Sequence, residues 1–294
     1  MKDAKLVAKA HVDHTSEIEI APHITVGGSD LLIVGGPCSI ESMAQMETIA
    51  QALHTAPVQA LRGGIYKPRT SPYSFQGLGD IGLDILSAIR KRYGLPIITE
   101  VMTIQQIEKL ASHADVLQVG SRNMQNFDLL KALGDVNKPI LLKRGLAATV
   151  TEFVMAAEYI ASHGNSNIIL CERGIRSFDN YTRNVLDLGA VVALKQITHL
   201  PVLVDPSHAT GKRELVAPLA RAAIAAGADG LMIECHPDPD QSVSDARQTI
   251  SLEAMAELVQ NLIPVAQAVG RSVSQPASQV AQHRPIATPQ ATPH

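Results

Sequence analysis

The chain lacks most of the features that would mark a specialised surface or compartment. Its 294 residues carry 25 Lys and Arg against 28 Asp and Glu, a formal charge of -3. Bulk electrostatics therefore gives no support for nucleic-acid binding. Only three cysteines occur, Cys38, Cys171 and Cys235. So small and odd a number excludes a disulfide framework and leaves reduced thiols, each a ligand or plain core. No apolar run reaches bilayer-spanning length, and the N-terminal MKDAKLVAKAHVDH lacks the apolar core of a signal peptide. A soluble cytoplasmic protein is the resulting expectation. What the chain does have is hydrophobic residue, 46% of the total, enough for one large domain or two small ones.

From about residue 31 to 270 one unit repeats: a short apolar, β-branched run, a polar or Gly-rich loop, then an amphipathic helical pattern. The runs are 31–36, 58–65, 96–101, 116–120, 139–143, 168–171, 201–205 and 230–234. The helical segments between and after them are 42–54, 82–92, 103–112, 127–133, 151–162, 185–196, 214–226 and 251–269. Strands bounded by helices must run parallel and be buried on both faces, hence their continuous apolar character. Such a repeat predicts an α/β chain closed into a (β/α)8 TIM barrel, with an open doubly wound sheet as the structural alternative.

Two segments fall outside the repeat. Residues 1–30 contain the alternations Glu17-Ile18-Glu19-Ile20 and His23-Ile24-Thr25-Val26, which predict a β-hairpin that caps one mouth of the barrel or joins a subunit contact. Residues 271–294 are rich in Pro, Gln, Ala, Ser and Thr and poor in large apolar residues, the composition of a disordered tail.

Barrel enzymes place their chemistry where strands end and βα loops begin. The unusual polar residues fall there: Cys38 and Glu41; Arg62, Lys67 and Arg69; Glu100; Ser121 and Arg122; Lys143; Arg173; Asp205 and His208; Glu234 and His236. They sort into two groups. Cys38, His208 and Glu234, with a carboxylate from Asp238, Asp240 or Asp245, form a mixed S, N and O set suited to a borderline divalent cation. Taken singly, Cys38 reads as a small buried hydrophobe and His208 as a hydrogen-bonded loop histidine. Strands one, seven and eight adjoin when a barrel closes, however, and that brings the set together.

The second group is cationic: Arg62, Lys67, Arg69, Arg122, Lys143 and Arg173. Crowding so much like charge at one mouth is destabilising unless anions neutralise it, so phosphate and carboxylate recognition is expected. Within it, Lys67-Pro68-Arg69-Thr70-Ser71 is partly rigid, because proline sets its own φ and pushes Lys67 toward an extended conformation. Arg69 offers a planar fork, Lys67 a compact charge, and Thr70 and Ser71 hydroxyls.

These residues also lie in longer stretches. GPCSIES at 36–42, LRGGIYKPRTSPYSFQGLG at 61–79, QVGSRNMQNFDLL at 118–130, PILLKRG at 139–145, CERGIRSF at 171–178, DPSHATG at 205–211 and MIECHPDP at 232–239 together closely resemble 3-deoxy-D-arabino-heptulosonate 7-phosphate (DAHP) synthase. The type resembled is the microbial one related to 3-deoxy-manno-octulosonate 8-phosphate synthase, and the resemblance extends over about residues 28–265.

The resemblance implies a metal-dependent, aldol-like condensation of phosphoenolpyruvate with erythrose 4-phosphate and water that opens the shikimate pathway. It implies that Cys38, His208, Glu234 and Asp245 bind Mn2+, Fe2+, Co2+ or Zn2+. It places the phosphate of phosphoenolpyruvate on Arg122 and Arg173, and its carboxylate at Arg62, Lys67 and Lys143. It gives Arg69, Thr70 and Ser71 to the phosphate of the sugar. Ser121 stands where many members carry Ala, which leaves its backbone N–H for phosphate. Glu100 and Lys143 are candidates for activating water, and Lys67 and His208 complete the catalytic set. The sister octulosonate synthase carries Lys-Ala-Asn-Arg-Ser-Ser where this chain has Lys67-Pro68-Arg69-Thr70-Ser71, takes a five-carbon sugar phosphate, and often needs no metal. A silent barrel-fold binding protein is the third reading, against which the full polar set at the strand ends speaks. No small N-terminal regulatory domain or fused chorismate mutase bundle is visible, so insensitivity to phenylalanine and tyrosine is expected. The family's usual assembly is a homo-oligomer, a dimer or tetramer.

Overall fold

In the computed structural model, residues 3–69 and 71–274 are described. A hairpin of β1 (Ile18–Ala21) and β2 (Ile24–Val26) precedes eight parallel strands: β3 (Leu32–Gly36), β4 (Ala60–Arg62), β5 (Ile97–Val101), β6 (Val116–Val119), β7 (Ile140–Lys143), β8 (Ile168–Glu172), β9 (Val202–Val204) and β10 (Gly230–His236). They pair in chain order, and β10 bonds both β9 and β3, so the sheet closes on itself. The closed (β/α)8 barrel is therefore the fold, and the open sheet is excluded. A two-residue strand, β11 (Ile250–Ser251), adds to the outer end of β10.

Helices α1 (Met43–Thr55), α2 (Asp80–Tyr93), α3 (Ile107–Ala111), α4 (Phe127–Gly134), α5 (Val150–Ser162), α6 (Leu188–Ile197), α8 (Arg213–Ala225) and α9 (Leu252–Ala268) alternate with the strands, and a short α7 (Pro206–Thr210) follows β9 directly. Several begin where side chains satisfy the free N–H groups. Ser42 accepts from the N–H of Gln45, and Thr149 and Glu152 cap each other's backbone at α5. The sequence reading placed the third helix over 103–112. Its first turn is instead a 3-10 turn, Ile104–Gln106, capped by Thr103 and Gln106.

Two apolar layers follow from the strand period of two. Ile33, Leu61, Ile97, Leu117, Ile140, Leu142, Leu170, Val202 and Ile233 face outward and pack with helix residues such as Met46, Leu86, Leu130, Phe153 and Leu262. Val34, Ala60, Ile98, Val116, Leu141, Ile169, Leu203 and Met232 fill the interior. Ile18, Ile20 and Val26 of the hairpin belong to that inner layer. The hairpin therefore closes the mouth from which the strands start, and its alternation is explained by one face pointing into the barrel. Each fully buried Leu or Ile of these layers contributes roughly 1.5–3 kcal/mol.

Residues 3–16 run beneath the barrel. Glu158 of α5 accepts the backbone N–H groups of Lys5, Leu6 and Val7 at 2.9–3.1 Å, and Ala8 bridges to Thr198. At the other end of the chain, Ser272 pairs with Asp30, and the Leu31 N–H donates to Ser272 O at 2.8 Å. The first residues of the expected disordered tail, 271–274, thus lie against the barrel, while the rest of that tail is outside the described residues. No helix among the described residues is long and apolar enough to cross a membrane.

Candidate active site

The period that fills the barrel also builds the site. Two residues beyond each inward apolar residue, at the ends of the strands, stand Arg62 after Ala60, Glu100 after Ile98, Gln118 after Val116, Lys143 after Leu141, Asp205 after Leu203 and Glu234 after Met232. The parity of a strand sends them all into the mouth of the barrel. Above them a cleft is lined by Arg62, Lys67, Arg69, Glu100, Gln118, Ser121, Arg122, Lys143, Arg173, Arg183, His208 and Asp245, among others. A second cleft, lined by Ser87, Arg90, Lys91, Ser112 and His113, lies among helix residues on the outside and touches none of these groups.

Cys38, His208, Glu234 and Asp245 each offer one ligand atom, and these atoms lie within 4.8 Å of one another. Asp238 and Asp240, the other carboxylates considered, are not in that group. Glu234 Oε1 is fully buried, 3.1 Å from His208 Nε2 and 3.1 Å from Arg62 Nη1, yet accepts no aligned hydrogen bond. Its other oxygen accepts from Gln248 Nε2 at 2.6 Å. A buried carboxylate oxygen without an aligned donor is costly unless something else meets it. Together with a sulfur, an imidazole nitrogen and a second carboxylate, it makes a donor set that fits a borderline divalent cation.

Asp205 organises the histidine. Its Oδ1 accepts the His208 N–H at 2.9 Å as the cap of α7, and its Oδ2 lies 2.7 Å from His208 Nδ1. The same Oδ2 takes the ammonium of Lys143. Burial alone would raise the Asp205 carboxyl, but His208 and Lys143 outweigh it and hold it well below the usual range. Burial lowers His208, which favours neutral imidazole. With Nδ1–H directed at Asp205, Nε2 presents its lone pair to the ligand cluster.

Cys38 is buried, and burial, aided by Glu234, pushes its thiol up to about 12. Its sulfur donates to Asp245 Oδ2 at 2.9 Å and accepts from Lys67 Nζ at 2.8 Å. For Lys67, burial would lower the ammonium, but the Cys38 sulfur and Glu100 more than offset it, so the group stays charged. Coordination through this sulfur requires its proton to leave. Cys171 and Cys235 are also pushed up to about 12 by burial, and they pack in the inner and outer core layers.

The cations divide by depth and partner. Arg62, Lys67 and Lys143 are buried beside Glu234, Cys38 and Asp205. Arg173 is also buried, but among the described residues its guanidinium reaches only carbonyl oxygens, His208 O at 3.2 Å and Gly174 O at 3.4 Å, and burial lowers its pKa. Arg69 donates to Ser244 Oγ at 3.2 Å. Ser71 accepts the Tyr73 N–H at 3.3 Å in an exposed turn, and Ser121 opens the 3-10 turn that carries exposed Arg122. Thr70 lies outside the described residues.

Three residues of the mouth, Asp205, Gln118 and Arg183, were given no role from the sequence. Lys143 pairs with Asp205, and Glu100 instead meets Gln118 Nε2 at 3.4 Å; Glu100 and Lys143 form no ion pair among the described residues. Glu100 reaches into the mouth because residue 120 is glycine: a Cβ there would lie 2.0 Å from Glu100 Oε1. Asp205 was noted at the end of its strand without a role and Gln118 was not singled out, although the two-residue step from an inward apolar residue marks both. Arg183 was also missed, and nothing in its local sequence points to the mouth.

The chain matches the model of the DAHP synthetase I family over residues 9–269. It is 47% identical over 274 residues to a phospho-2-dehydro-3-deoxyheptonate aldolase of Thermotoga maritima, an alignment covering 93% of this chain and 81% of that protein. It is 36% identical over 263 residues to a 2-dehydro-3-deoxyphosphooctonate aldolase of Granulibacter bethesdensis, covering 81% and 92%. A truncated form of the Thermotoga maritima 3-deoxy-D-arabino-heptulosonate 7-phosphate synthase superposes with a TM-score of 0.85 at 43% identity, covering 92% of this chain and 98% of that one.

Proposed function

The chain belongs to the DAHP synthetase I family, and from that premise we propose how its strand-end residues act. It condenses phosphoenolpyruvate with D-erythrose 4-phosphate and water, giving DAHP and inorganic phosphate, the first step of the shikimate pathway. A carbon–carbon bond forms between the methylene carbon of phosphoenolpyruvate and the aldehyde carbon of the sugar. Water adds to the adjacent carbon, and phosphate leaves from it.

Cys38, His208, Glu234 and Asp245 would hold the divalent cation, and the convergence of their four ligand atoms is the observation that carries this reading. When bound, the cation supplies Lewis-acid polarisation of the aldehyde. Mn2+, Fe2+, Co2+ and Zn2+ all suit the mixed donors.

Arg173, buried and without a carboxylate partner among the described residues, and Arg122 at the rim hold the phosphate of phosphoenolpyruvate. Arg62, Lys67 and Lys143 face its carboxylate. This crowd of cations keeps the bound anion charged and oriented before reaction. Arg69, with Thr70 and Ser71 after it, takes the phosphate of the sugar. Glu100 orients the water, and Lys143, held by Asp205, is the neighbouring acid for the proton exchanged there. A homo-oligomeric assembly, a dimer or tetramer, and a cytoplasmic location belong to the same reading; three buried free thiols support a reducing compartment.

The test is phosphate release from phosphoenolpyruvate with erythrose 4-phosphate against arabinose 5-phosphate, each with and without EDTA. Preference for the four-carbon sugar, loss of turnover with EDTA and recovery with Mn2+ are expected. Preference for arabinose 5-phosphate would overturn the substrate, and indifference to EDTA the metal.

A further inference from the structure

We propose that Arg183 is a second ligand of the sugar phosphate, acting with Arg69 at the loop that carries Asp245. The inference rests on the functional reading above and extends it to a residue that the motifs do not include.

The backbone at Arg183 is fixed. Its N–H donates to Thr210 O at 2.9 Å, and the Asn184 N–H to Ala209 O at 2.8 Å, so the segment is tied to α7, which carries His208. Below it, Ile175 and Val185 exchange both backbone hydrogen bonds, at 3.0 and 2.9 Å. The approach to α7 is close. A Cβ on Gly211, whose φ is +65°, would stand 2.7 Å from Arg183 Cβ, so only glycine admits both the backbone turn and the arginine beside it.

From this anchor the side chain reaches the loop that follows β10. Nη1 donates to Asp245 Oδ1 at 3.1 Å and to Gln248 Oε1 at 3.3 Å. One nitrogen of the fork is engaged, and among the described residues Nε and Nη2 meet no protein acceptor. The side chain keeps 42% of its surface exposed while lining the same cleft as Arg69, Arg122 and Arg173. Arg69 engages the neighbouring residue of the same loop, Ser244. Two guanidiniums, each with donors unengaged among the described residues, thus grip consecutive residues of one loop at the outer rim.

Their placement suits a phosphate at the far end of an aldehyde sugar. The deep cations Arg62, Lys67 and Lys143 lie beside buried partners. A sugar with its aldehyde at the Cys38, His208 and Asp245 cluster would extend its phosphate outward, toward the rim. Planar forks bind phosphate bidentately, and two of them enclose a dianion better than one.

The experiment compares wild type, Arg183→Ala and Arg183→Lys. Phosphate release is measured with erythrose 4-phosphate varied at saturating phosphoenolpyruvate and the reverse, and Mn2+ binding is measured by calorimetry. Arg183→Ala should raise the KM for erythrose 4-phosphate by roughly 10- to 100-fold, the effect of losing a hydrogen bond to a charged group. The KM for phosphoenolpyruvate and the affinity for Mn2+ should stay near wild type, and Arg183→Lys should recover part of the loss. An unchanged KM for the sugar, an equal rise for both substrates, or a loss confined to Mn2+ affinity would overturn the inference; the last would make Arg183 a positioning residue for Asp245. A wild-type enzyme that does not turn over erythrose 4-phosphate would overturn the functional reading itself.

Discussion

Asp205 and His208 face each other across the first turn of α7: the carboxylate lies 2.7 Å from Nδ1 of the imidazole and also accepts that residue's backbone N–H. One side chain thereby sets the position of the histidine, its tautomer and, through the ammonium of Lys143, the height of a lysine on a strand two positions away in the barrel. The acid joins the proposed cation site to the proposed phosphoenolpyruvate site without belonging to either.

Replacing that acid tests the link. Asp205→Asn keeps the cap's shape but removes the charge that holds Lys143 and permits Nδ1 to become the acceptor. Mn2+ affinity, measured by calorimetry, is expected to fall roughly 10- to 100-fold, as for other residues that orient a metal-bound histidine. The KM for phosphoenolpyruvate should rise as well, because Lys143 loses its anchor. A change in thermal stability alone, with both affinities intact, would reduce Asp205 to a helix cap.

Arg69 gives a second test. Its guanidinium touches only Ser244 Oγ among the described residues, so truncation should disturb little of the fold. Arg69→Ala is expected to raise the KM for erythrose 4-phosphate by roughly tenfold or more, the scale of one charge-assisted hydrogen bond, and far more than that for phosphoenolpyruvate. Equal effects on both would show that the loop from Lys67 to Ser71 is wrongly divided between the two substrates.

At the opposite end of the barrel, Glu158 holds three successive backbone N–H groups of the N-terminal arm. Glu158→Ala leaves those donors without their acceptor, and stability should fall by about 1–3 kcal/mol. Hydrogen exchange at Lys5, Leu6 and Val7 should accelerate while kcat is unchanged, since the site lies at the other mouth. Unaltered exchange there would show that other contacts pin the arm.

Much of this was legible in one dimension. The eight apolar runs are local signals, and the barrel they imply is the one found, with strand boundaries shifted by a few residues at most ends. The run at 58–65 was the largest overreach, because only Ala60–Arg62 pairs as a strand; the residues after it turn away to build the loop that carries Lys67. Cys38, His208 and Glu234 were each visible as unusual residues at or after strand ends, and their convergence followed from closure between β9, β10 and β3; Asp245 was one of three candidate carboxylates, and only the family resemblance preferred it.

Partnership was not legible. Nothing local distinguishes Glu100 from Asp205 as the carboxylate for Lys143; that depends on where strands three, five and seven aim their ends across the barrel. Arg183 sits 62 residues from Asp245, and no periodic pattern links a loop guanidinium to a loop carboxylate. Strand parity and helix period act over a few residues, so the order of residues alone carries the fold, and the two-residue step on six of the eight strands marks side chains that reach the mouth. Which charges meet is set by the folded chain, because contact energies at 3 Å depend on the registers of all eight strands and on the loops that fold back over them.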